Sequence, residues 1–217
     1  MLRPTTCFTR IKVWLFGACF LTACALTDNS TPPRIVRVKA VADRELREKD
    51  PRWQDTVRGL VDAASDIFER DFGIQFKVLA VEPWPLQETS PLTSVMLQSL
   101  KEKVSLNGED LVIGFTGQRI NRLRGRGRVD RIGNCREGLG NYLVGQVSRP
   151  FRYPGKPEEP EGDLLLLVHE LGHIFGAEHT VDSLSIMNED FGYRTEFDAK
   201  SRSIIAANKS CPFAKGS

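Results

Sequence analysis

The chain contains three histidines, and all of them lie within residues 168–179. His169 and His173 are four residues apart in an apolar run that opens at Leu164. A helix there sets both imidazoles on one face. Glu170 is then rotated by about 100° from His169, beside the pair rather than in line with it. His179 cannot join them if the helix continues, because ten residues of helix carry it roughly 15 Å along the axis. Zinc–nitrogen bonds are about 2 Å long, so the chain must turn sharply between His173 and His179. Gly176 is the residue able to make that turn, since glycine takes positive φ without a Cβ penalty. Three neutral imidazoles leave the fourth zinc position open for water, the catalytic rather than the structural arrangement. The plainer alternative is a buried helix whose histidines fall in register by chance. It leaves unexplained why every histidine of the chain stands here with this spacing.

The stretch Val168–His179 resembles the metzincin signature HExxHxxGxxH, and Ser185-Ile186-Met187-Asn188 resembles the Met-turn of that family. The resemblance implies a zinc-dependent endopeptidase with one catalytic zinc ion. His169, His173 and His179 would be its ligands, Glu170 its general base, and Met187 a packing floor beneath the histidines. Without the histidines, Met187 would read as an ordinary core methionine. Some metzincins carry near the metal a tyrosine two residues past this methionine; here that place is Glu189, so no tyrosine is carried over. The pattern is closer to the matrixin and reprolysin-like groups.

The remaining elements must position this stretch. Ile35 to Val41 alternates apolar and basic residues and reads as a strand. Asp50 with Pro51 opens a helix whose apolar stripe runs from Trp53 to Phe68, and Gly73 ends it. Ile74 to Val81 reads as a second strand. Ser90 and Pro91 start another helix, which Asn107-Gly108 terminates. Leu111 to Phe115 is a continuous apolar strand of the kind buried on both faces, and Asn141 to Val147 reads as one more. Phe197 to Asn208 is expected to be the last helix, with Thr195 or Asp198 near its start. This order predicts an α/β (α+β) fold: a mixed twisted sheet with helices against it, then the zinc helix, the Met-turn and a C-terminal helix. No internal repeat is visible.

At 217 residues the chain is long enough to bury a substantial core. Residues 1–23 are expected to be a lipoprotein signal peptide, 24–34 a tether and 35–217 the catalytic domain. Arg3, Arg10 and Lys12 precede the apolar run Val13–Phe20, which is too short to span a bilayer and has the length of a signal h-region. Leu21-Thr22-Ala23-Cys24 resembles the bacterial lipobox, which implies cleavage before Cys24 and acylation of its sulfur. An ordinary secretory signal is the alternative. The lipid reading implies export and anchoring to a bacterial membrane through Cys24; in a diderm host, Ala25 after the cysteine implies the outer membrane facing the periplasm.

Removing residues 1–23 takes away three positive charges and no negative ones, so the formal net charge falls from +2 to −1. Overall charge therefore gives no argument for a nucleic-acid partner. Cys135 and Cys211 remain as one pair in an oxidising compartment, where a disulfide is expected, two free thiols being the alternative. Arg119, Arg122, Arg124, Arg126, Arg128 and Arg131 form a basic loop that reads as a solvated surface. A protein or peptide substrate is expected to lie along an edge strand, for which Tyr142–Val147 is the candidate. Two rival readings are a non-catalytic zinc-containing lipoprotein that serves as a binding module, and a zinc hydrolase of cell-wall peptides.

Overall fold

The computed structural model describes residues 32–86, 89–120, 125–152, 162–190 and 194–214. The signal-peptide and lipidation expectations at residues 1–23 and Cys24 lie outside them, as do Arg122 and Arg124. Among the described residues no helix is long and apolar enough to cross a membrane.

A five-stranded sheet forms the frame, built from β1 (Arg34–Ala42), β2 (Ile74–Pro83), β3 (Leu111–Thr116), β4 (Gly127–Val129) and β5 (Tyr142–Gln146). Their order is β2-β1-β3-β5-β4. All neighbours are parallel except β4, which runs antiparallel to β5. The helices are α1 (Arg44–Lys49), α2 (Trp53–Phe72), α3 (Thr93–Lys103), α4 (Gly162–Ile174) and α5 (Ala199–Asn208). From β1 the chain crosses one way to β2 and then back past β1 to β3. Right-handed crossovers in opposite directions put α2 and α3 on opposite faces of the sheet. Accordingly α2 shares a core with α4 and the residues Val36, Val38, Ala40 and Ile113. On the other face α3 packs Met96, Leu97 and Leu100 with Val41, Val112, Val144 and Trp84. The expected mixed α/β fold is the one observed.

Three departures bear on the site. Asp50 does not cap α2, which begins at Trp53 after Arg52. It ends the short helix α1 instead, and its carboxylate accepts from Arg52 N–H and Thr56 Oγ and pairs with Arg152 at 2.9 Å. The helix α1 has one buried apolar residue, Leu46, so it shows no stripe in sequence; the Asp43 cap and the pair Arg44–Glu48 support it.

The second departure concerns the arginine-rich loop. It contains β4, and Arg126 is tied down, donating to Gln146 Oε1 (3.0 Å), Ser148 Oγ (2.9 Å) and the buried Asp163 in the first turn of α4. A fully solvated loop is therefore not what forms. The third is a correction: Tyr142–Val147 is not an edge strand. Gly127, Arg128 and Val129 pair with Gly145, Val144 and Leu143, so β5 is covered on both sides and β4 is the edge beside α4.

Candidate metal centre

The helix α4 is buried from Asp163 to Ile174, with His169, Glu170 and His173 among its buried residues. It ends in a Schellman motif. Gly176 takes φ 95, its N–H donates to His173 O at 2.9 Å, and Ala177 N–H donates to Gly172 O at 2.9 Å. That turn reverses the chain and brings His179 back to the helix. The three Nε2 atoms converge, His169 to His173 at 3.1 Å, His173 to His179 at 3.1 Å and His169 to His179 at 3.2 Å.

The outer ring nitrogens set the tautomers. His169 Nδ1–H donates to Ile186 O at 2.7 Å and His173 Nδ1–H to Ala177 O at 2.6 Å. Each of these rings therefore turns an Nε2 lone pair inward. Facing lone pairs repel unless a cation lies among them. A tetrahedral ion with bonds of about 2.0–2.1 Å holds its ligand nitrogens about 3.3 Å apart. The spacing and the tautomers both fit a metal ion, and His169, His173 and His179 form a cluster able to hold one. Burial lowers the His169 imidazole to about 3, helped by the neighbouring His173, and burial likewise lowers His173 to about 4. Both stay neutral, and so able to bind metal, well into the acid range.

The residues around the ligands form a supporting shell. Ile186, which accepts from His169, is the second residue of the Met-turn, and Thr180 N–H donates to Met187 O at 3.1 Å. The Met-turn thus touches the segments of the first and third ligands. Met187 is fully buried, and its sulfur lies where a Cβ on Gly172 would sit, 2.7 Å from it, so the helix needs a glycine there. Ser185 Oγ donates to Asp198, the N-cap of α5, at 2.7 Å, so the last helix anchors the Met-turn.

The Glu170 carboxyl lies against β4. A Cβ on Gly127 would overlap its carboxylate, so the edge strand runs directly against Glu170. Burial pushes the Glu170 carboxyl up to about 8, with Arg128 pulling weakly the other way. It is a buried carboxyl with a raised pKa beside a metal-binding cluster, and no second cluster of this kind occurs among the described residues.

Three residues of this shell escaped the sequence reading. Glu189 pairs with His179 Nδ1 at 3.1 Å, completing a set in which every ring has an outer partner. Its place two residues after Met187 was the available signal. Gly127 and Asp163 carried none, because their roles depend on contacts with distant residues. Cys135 and Cys211 are joined in a disulfide with a Cα–Cα distance of 4.8 Å.

Archaemetzincin from Methanopyrus kandleri is 20% identical, with a TM-score of 0.53, covering 80% of this chain and 94% of that one. A chain from a chaperone–substrate complex is 9% identical, with a TM-score of 0.57, covering 83% of this chain and 34% of that one. At such identities the likeness is one of fold. No curated protein matches in sequence. The model of metallo-peptidase family M12, of reprolysin type, matches residues 32–217, which include the sheet, all three histidines and the Met-turn, and the chain belongs to that family.

Proposed function

We propose that the protein is a zinc-dependent endopeptidase whose metal is held by His169, His173 and His179 and whose general base is Glu170. The observation that carries this reading is the convergence of three inward-facing Nε2 atoms, 3.1–3.2 Å apart, beside a buried carboxyl. When bound, zinc supplies a Lewis acid that polarises the scissile carbonyl and lowers the pKa of water to about 7. Glu170 takes the proton from the attacking water and passes it to the leaving amine. A raised pKa suits both steps, because a carboxyl poised near neutrality accepts and returns a proton at similar cost. The edge strand β4, unpaired on its outer side among the described residues, is placed to take an extended peptide. Arg126, held by Asp163, Gln146 and Ser148, fixes β4 against α4.

The test is cleavage of an unbiased peptide library, with cell-wall cross-link peptides in a parallel arm. The zinc-loaded protein should cleave library peptides, lose the activity on chelation and regain it with zinc. A zinc-loaded protein that cleaves neither set is a binding module. One that cleaves only the cell-wall peptides is a hydrolase of that class.

Gly127 gives a sharper check of the contact between β4 and Glu170. Gly127→Ala should leave zinc content unchanged, because the atoms nearest the added Cβ belong to Glu170 rather than to a metal ligand. Catalytic efficiency should fall about 100-fold, since a displacement near 1 Å of a reacting group costs that much. Wild-type efficiency in Gly127→Ala would show that β4 does not press on Glu170.

We also propose that residues 1–23 are a signal removed before Cys24, that residues 24–34 tether the domain 35–217, and that Cys24 carries the membrane anchor. The support is the order of basic, apolar and small residues in the sequence. Mass spectrometry of the mature N-terminus should find an acylated Cys24, and Cys24→Ser should release the protein from membranes. An unmodified Cys24 in the mature protein rejects the anchor.

A further inference from the structure

His179 reaches the metal cluster only because the chain turns at Gly176, and that turn is gripped from two sides. On one side Gly133 N–H donates to His173 O at 3.0 Å, adding a second donor to a carbonyl that already accepts from Gly176. On the other side Asn208, the last residue of α5, donates from Nδ2 to Phe175 O at 2.9 Å. Gly176 lies in the slot between them: a Cβ there would overlap both Gly133 O and Asn208 Nδ2. Its positive φ and this slot each require glycine.

The two walls of the slot are locked to each other. Cys135, two residues past Gly133, is bonded to Cys211, three residues past Asn208. The Asn208 Oδ1 atom rests 3.5 Å from the Cys211 sulfur and 3.8 Å from the Cys135 sulfur. Cys211 N–H donates to Asn208 O at 3.0 Å, and Leu139 N–H donates to Pro212 O at 2.9 Å. Asn208 thus touches the disulfide with one end of its amide and the turn before the third ligand with the other.

We propose that Asn208 is a positioning residue for His179, holding the turn at Phe175–Gly176 against the slot that the Cys135–Cys211 bridge closes. The proposal rests on the assignment of His169, His173 and His179 as metal ligands. Metal affinity is then coupled to a side chain on α5 that binds no metal, and to the oxidation state of a disulfide outside the site. Removing the amide leaves Phe175 O without its donor and lets the chain between His173 and His179 relax. His169 and His173 keep their geometry, because the helix fixes them.

The experiment is zinc affinity by chelator competition, with the visible spectrum of the cobalt-substituted protein, in a double-mutant cycle. Asn208→Ala should weaken zinc binding about 10- to 100-fold, the range for outer-shell partners of metal ligands. Its disulfide should remain intact, and the cobalt bands should weaken. In a His179→Ala background, Asn208→Ala should have no further effect on affinity, which a merely structural role would not produce. The pair Cys135→Ser with Cys211→Ser should lower affinity in the same direction. Wild-type zinc affinity in Asn208→Ala, or an equal loss in the His179→Ala background, overturns the proposal. Wild-type affinity in His179→Ala itself overturns the ligand assignment beneath it, so the two failures are distinct.

Discussion

Glu170→Gln should keep its zinc and its fold while losing turnover by roughly 100- to 10,000-fold, the range for a positioned acid–base group. The amide is nearly the same size as the carboxyl, so the close packing against Gly127 is preserved. The residue is also a neutral one in a site where burial already favours the uncharged form, so its folded state costs nothing extra. What the substitution removes is the ability to take a proton from water and return it to the amine. Zinc stoichiometry, thermal stability and peptide cleavage on the same two preparations check it. Cleavage by Glu170→Gln at the wild-type rate would show that another group moves the proton.

His179→Ala should weaken zinc binding severely and abolish activity, although the residue lies off the helix and is about half exposed. Without it two Nε2 atoms remain, 3.1 Å apart on α4, and a tetrahedral ion loses one of three protein ligands. The expected loss exceeds the 10- to 100-fold typical of an outer-shell partner. The fold should survive, because the Schellman turn at Gly176 is made by backbone groups and by Asn208 rather than by the His179 ring. Undiminished zinc content in His179→Ala would mean that the turn does not deliver the third ligand.

The parts of the site legible in the sequence are those set by local geometry. His169 and His173 follow from the helix period, and the turn at Gly176 follows from the impossibility of reaching His179 otherwise. The strands β1, β2 and β3 and the end of α2 at Gly73, with φ 64, were likewise readable from alternation, an apolar run and a glycine. What stayed hidden depends on tertiary pairing. The strand β4 is three residues of glycine, arginine and valine without any period, and it is a strand only because β5 lies beside it. For the same reason β5 reads as an edge in sequence and is interior in the fold. Arg126 looks like one of many solvated arginines until Asp163 is brought to it by α4. Asn208 has no pattern of its own and acquires its role from the group it meets, Phe175 O, whereas the position of Glu189 after Met187 was visible but its partner, His179 Nδ1, was not.

X-ray absorption at the zinc edge of the zinc-loaded wild-type protein tests the central claim most directly. One zinc per chain is expected, with three imidazole nitrogens at about 2.0–2.1 Å and one further light ligand that an added metal-directed inhibitor displaces. A sulfur ligand, a closed set of four protein ligands, or fewer than three imidazoles would contradict it.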